Sequence, residues 1–116
     1  DYATMCESGA YIYIVNLYNK QESFFKIGIT KNIEKRFKVF KSDGYEVGEN
    51  LIQFFHDAGF IFLLEKDLHN YYYSEKYVPK TNFGGKTECF SFVDFESVNS
   101  FLDEMFLNCK ECHSES

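Results

Sequence analysis

Apolar and polar positions along this chain change period several times, and each change marks an element. Ala10-Tyr11-Ile12-Tyr13-Ile14-Val15-Asn16-Leu17 is rich in β-branched and aromatic residues and predicts a strand. Tyr18 to Ser23 is polar and turn-like, so the next apolar run, Phe24 to Ile29, is expected to return as the second arm of a hairpin. Thr30 or Asn32 can cap a following helix whose apolar face is Ile33, Phe37 and Phe40, with Glu34 complementing its dipole. Arg36 lies ~60° from that face, while Lys35 and Lys38 point toward solvent. Ser42 to Gly48 reads as a loop from its Gly and Asp content, and Leu51 to Phe55 as a third strand. Asp57 then caps a helix from about Ala58 to Tyr73. Ser74 to Lys86, with the only Pro and the Gly84-Gly85 pair, reads as a long loop. Glu88 to Val93 alternates like a short strand. Asp94 caps a last helix whose core face is Phe95, Val98, Phe101, Leu102, Met105 and Phe106. No repeat or linker interrupts this order. One domain over 1–116 is expected, with its core at about 9–107 and a frayed tail over 108–116.

One position conflicts with its surroundings. In the helix after Asp57, Ile61, Leu64, Leu68 and Tyr72 recur at helical spacing, and Glu65 falls in the middle of that stripe. An ionised carboxylate on such a face is expensive to desolvate, so it calls for a cation, a metal or a strong hydrogen-bond donor. The plain alternative is a helix-face Glu paired with a neighbouring Lys. His69, four residues on, shares the face of Glu65. It is expected to orient Glu65 rather than to ligate a metal directly, with a surface histidine as the alternative.

Composition narrows the class. At 116 residues with 20% aromatics (Phe 14, Tyr 9), the chain can build one core from large rings. A single Pro and seven Gly suit an ordered α/β or α+β domain. The net charge of −6 counts against a protein that simply coats nucleic acid. The charge is segregated, however: between Leu17 and Lys41 stand Lys20, Lys26, Lys31, Lys35, Arg36, Lys38 and Lys41 against only Glu22 and Glu34. From Asp94 onward the chain is acidic. No stretch reaches the ~18 to 20 continuous apolar residues that span a bilayer. The first residues lack a basic start and an apolar run, so an intracellular location is expected: the host-cell cytoplasm if phage- or virus-encoded, with the nucleus as the other compartment. Of the four cysteines, Cys89 reads as a small buried thiol in a strand. Cys109, Cys112 and His113 match metal-ligand spacing, but no second pair follows to complete a zinc site.

A hairpin, a Lys-Ile-Gly strand, a helix carrying an Arg and a later helix carrying a Glu follow one another in an order that resembles the GIY-YIG nuclease superfamily. The likeness is to its phage- and virus-associated branch, whose second motif reads Lys-Ile-Gly. Tyr11-Ile12-Tyr13-Ile14 resembles the first motif and Phe25-Lys26-Ile27-Gly28-Ile29-Thr30 the second. Arg36 follows Gly28 at the family's spacing. Glu65 with His69 resembles a Glu-x-x-x-His helix, and Gly85-Lys86-Thr87-Glu88-Cys89-Phe90 a late Thr-Glu-aromatic segment.

That resemblance implies a small three-stranded antiparallel sheet flanked by helices and metal-dependent hydrolysis of phosphodiester bonds in DNA. Glu65 would hold one divalent ion, Mg²⁺ or Mn²⁺, and Arg36 would donate to phosphate oxygens as charge builds. A first-motif tyrosine would position or deprotonate the attacking water. Tyr13 is preferred, although Tyr11 points to the same face. Lys26 replaces the second motif's tyrosine and could reach a phosphate, but it is a poor base. Lys31, Lys35 and Lys38 read either as a solvated face or as phosphate contacts on DNA. Gly9-Ala10-Tyr11 is the nearest approach to Gly-Ile-Tyr, and Phe40 stands where some members carry a histidine. A separate DNA-reading domain or a dimer partner is also implied. Two alternatives remain: a DNA-binding module with weak or no catalysis, and a protein-interaction or inhibitor domain that uses its acidic C-terminal helix.

Overall fold

The computed structural model describes residues 9–80 and 88–108. Strands β1 (Ala10–Tyr18) and β2 (Ser23–Thr30) form the expected hairpin, in register from Tyr11 opposite Thr30 to Tyr18 opposite Ser23. Asn19 closes the turn by accepting from the N–H groups of Gln21 and Glu22. Helix α1 (Ile33–Ser42) is capped by Asn32, whose Oδ1 accepts from the Lys35 N–H at 3.0 Å. The chain then returns as β3 (Glu46–Phe55) along the other edge of β1. Helix α2 (Ala58–Tyr71) is capped by Asp57, ends in a 3₁₀ turn at Tyr73–Glu75, and is followed by β4 (Cys89–Phe90) and α3 (Phe95–Asn108). Asp94 caps α3 through the N–H groups of Glu96 and Ser97.

The sheet has four antiparallel strands in the order β3-β1-β2-β4, where the resemblance implies three. The fourth is only two residues long. Phe25 pairs with Phe90 and Lys26 with Cys89, a contact too short for alternation to reveal its partner. Strand β3 begins at Glu46 rather than Leu51. Its first half is polar because ladder hydrogen bonds hold the backbone whatever the side chains are.

Period-two alternation divides the core between the two faces of the sheet. Ile12, Ile14, Ile27, Ile29 and Phe90 face α2 and α3, meeting Ile61, Leu64, Leu68, Val98 and Leu102. Tyr13, Val15, Leu17, Phe24 and Cys89 face the other way, toward Phe40 of α1 and Tyr45. Cys89 is the buried thiol the sequence predicts, and burial pushes it up to about 12, which keeps it unreactive. Among the described residues no helix is long and apolar enough to cross a membrane.

Glu22, read only as a turn residue, is buried beneath the hairpin. Its two carboxylate oxygens accept from the hydroxyls of Tyr45 and Tyr77, each at 2.7 Å, and one also accepts from the Lys80 N–H at 3.0 Å. Tyr77 in turn stacks on Phe24. This carboxylate ties the segment after α2 to the hairpin.

Candidate active site along β2

Among the described residues β4 pairs with Phe25 and Lys26, and the candidate residues gather along β2 between Lys26 and Gly28. Elements from both faces of the sheet converge there. Tyr13 lies opposite Gly28 in the hairpin register and is fully buried. Its ring occupies the space above that glycine: a Cβ on Gly28 would stand 2.6 Å from the Tyr13 hydroxyl oxygen and 2.8 Å from Cζ. The glycine of the Lys-Ile-Gly strand is therefore required by packing. Arg36, half-buried on α1, donates from a guanidinium nitrogen to the Tyr13 hydroxyl oxygen at 3.2 Å. Burial pushes the Tyr13 phenol well above its usual range, and Arg36 only partly offsets this. The phenol keeps its proton.

Tyr11, the alternative first-motif tyrosine, lies on the same face but sets its ring against Phe54, with centroids 5.0 Å apart. The polar contact to Arg36 belongs to Tyr13.

From the opposite face, α2 brings Glu65 and His69. Glu65 does not sit in the middle of the buried stripe. Ile61, Leu64, Leu68 and Tyr72 form that stripe, and Glu65 flanks it with its side chain 15% exposed. Its carboxyl is pushed up to about 7, first by burial and then by Glu88, with Lys26 opposing. His69 lies 4.0 Å from a Glu65 oxygen, but its Nε2 is 3.0 Å from the backbone oxygen of Ile27. A carbonyl can only accept, so Nε2 carries the proton and donates. Burial holds His69 below its ordinary value. It is thus a neutral anchor between α2 and the β2 edge, with Nε2 committed to the backbone rather than to a metal.

Lys26 has only 1% of its side chain exposed and is ion-paired with Oε1 of Glu88. Glu88 itself is 33% exposed. Sequence reasoning attached little to Glu88, because strand alternation does not show which side chain meets a residue 62 positions away. A buried lysine in a strand was the available signal, since such a cation needs a counter-charge. Lys31, Lys35 and Lys38 are exposed, on and just ahead of α1. Gly85 to Thr87 of the late segment lie outside the described residues, as do Cys109, Cys112 and His113.

Among the described residues no group of three or more His, Cys, Asp and Glu side chains is gathered for a metal. What stands here is a single partly desolvated carboxylate with another acid nearby, and a cation would relieve both influences that raise Glu65. That donor chemistry fits a hard ion such as Mg²⁺, which takes one or two carboxylates and completes its shell with water and phosphate oxygens.

The T5orf172 domain family matches residues 10–106, from the start of β1 into the last turn of α3. Neither a curated protein nor a solved structure matches the chain.

Proposed function

The chain belongs to the T5orf172 domain family, a phage-associated domain related to nuclease folds, and from that premise we propose a metal-dependent DNA endonuclease of GIY-YIG type. The observation that carries this reading is that Arg36 of α1 holds the Tyr13 hydroxyl of β1 while the charge of Glu65 on α2 is felt at that same hydroxyl. Arg36 donates to the non-bridging oxygens of the scissile phosphate, where negative charge grows in the transition state. Tyr13, its oxygen held by Arg36, turns its own O–H toward the phosphate or the attacking water and fixes the line of attack. Glu65 holds the divalent ion, Mg²⁺ or Mn²⁺, which when bound polarises the phosphate and stabilises the leaving oxygen. His69 keeps α2 at its distance from β2 and so sets where the Glu65 carboxylate stands. Exposed Lys31, Lys35 and Lys38 follow the DNA backbone on either side of the cut. Lys26, buried against Glu88, serves the site from within and does not meet the phosphate.

The test is nicking of supercoiled plasmid in Mg²⁺ or Mn²⁺ by wild type, Glu65→Gln and Arg36→Ala. Metal-dependent nicking that falls about 100-fold or more in both variants is the expected result. A second reading, DNA binding without hydrolysis, draws on Lys26 standing buried in the second-motif tyrosine position. Wild type that binds duplex DNA in a salt-dependent way and nicks with neither ion would establish it instead.

A further inference from the structure

We propose that the carboxylate of Glu88 takes the proton from the attacking water, with the buried ammonium of Lys26 holding it in place; the inference rests on the phosphodiesterase reading above. Hydrolysis at this site needs a proton acceptor that water can reach. Among the candidate residues, Arg36 is a cation, and Lys26 is enclosed and bonded to Glu88. Tyr13 has its oxygen occupied by Arg36. His69 donates through Nε2 to the Ile27 carbonyl, which leaves the lone pair of Nδ1 as a rival acceptor, and Glu65 would hold the ion under the reading above. Glu88 is the second carboxylate of the cluster and reaches solvent.

Its placement suits the role. The Lys26–Cys89 pairing sets Glu88 immediately ahead of β4, against β2. The ion pair is asymmetric: the lysine end is sealed in the protein and the glutamate end is a third exposed. Lys26 engages Oε1, so the second oxygen can meet a water while the first is held. Glu88 also belongs electrically to the same cluster, because its charge is felt at the Tyr13 hydroxyl and at Glu65. In the step, a water O–H proton passes to the Glu88 carboxylate as the water oxygen bonds to phosphorus. The bond from phosphorus to the leaving sugar oxygen breaks, and that oxygen takes a proton from solvent. Glu88 then returns its proton to water.

Glu88→Gln tests the proposal because the amide oxygen can still accept from Lys26. The expected result is a nicking rate at saturating DNA reduced about 10²- to 10⁴-fold. Melting temperature, DNA affinity and the Mn²⁺ concentration for half-maximal rate should remain near wild type. Lys26→Met, which loosens Glu88 without removing it, should lose less rate than Glu88→Gln. Nicking by Glu88→Gln within about threefold of wild type would overturn the proposal and leave the nuclease reading intact. A raised Mn²⁺ requirement would make Glu88 a metal ligand, and joint loss of folding and DNA binding would make it structural. Either result overturns the proposal. If wild type itself does not nick, both this proposal and the nuclease reading fall.

Discussion

Gly28 and Tyr13 show how tightly single residues are constrained at the β2 edge. A Gly28→Ala methyl would have to displace a fully buried ring, since its nearest contacts are the Tyr13 hydroxyl oxygen and Cζ. Overpacking of this kind costs about 1–3 kcal/mol, read as a lower urea midpoint at unchanged slope. Nicking should fall as well, because the ring that moves is the one held by Arg36. Glu65 carries a pH signature. Its carboxyl takes up a proton near pH 7 in the folded chain and near its ordinary 4.5 when unfolded. Between those values the folded state binds more protons, so this group's stabilising contribution is complete below about pH 4.5 and is lost as pH rises to about 7. In chelator-treated protein, Glu65→Gln should therefore gain on wild type across that window, by at most about 1.4 kcal/mol per pH unit. The gap should be flat above it. Urea unfolding at a series of pH values checks this, and parallel curves for the two proteins would exclude it.

Between elements, buried carboxylates do the joining. Glu22 accepts from Tyr45, Tyr77 and the Lys80 backbone, and so fixes the chain that leads from α2 toward β4. Removing one donor from a buried charge costs more than an ordinary hydrogen bond, because the oxygen left behind stays desolvated. Tyr45→Phe should lower stability by about 1.5–3 kcal/mol in chemical denaturation. Because the Glu22 network holds Tyr77 and Lys80 directly, amide exchange at these two residues should rise in that variant more than exchange in β1. His69 joins elements in a different way, donating from α2 to the Ile27 carbonyl of β2.

Across the whole molecule, charge is distributed against the net value. The chain carries −6, yet the exposed surface on and near α1 presents Lys31, Lys35, Lys38 and Lys41, while α3 carries Glu96, Asp103 and Glu104 with no Lys or Arg. An anionic partner approaching this molecule is steered to one side. Replacing Lys31, Lys35 and Lys38 by Ala should weaken duplex binding and reduce the slope of log Kd against log salt by about 2.7, at about 0.9 per lost phosphate contact. Fluorescence anisotropy at several salt concentrations measures it. An unchanged slope would mean that these lysines form a solvated face and touch no phosphate.

Strand and helix identities were legible along the chain because period two and period 3.6 are local properties, and Asn32, Asp57 and Asp94 mark helix starts by local capping chemistry. The α+β class came from the same local patterns, and Glu65 stood out by its place near an apolar stripe, whereas the candidacy of Arg36 and Tyr13 came from the family resemblance that the order of motifs carries. Other features depend on which distant segments meet. The fourth strand rests on two residues of pairing, and the choice of Tyr13 over Tyr11 rests on the reach of Arg36 from α1. The Lys26–Glu88 pair joins positions 62 apart, and the Glu22 network gathers Tyr45, Tyr77 and Lys80 around a residue that reads locally as turn. Burial, and with it the elevation of Glu65, exists only once α2 has packed on the sheet beside Glu88. Periodicity says which face of an element is apolar, whereas desolvation and ion pairing depend on the neighbours that the packed fold supplies.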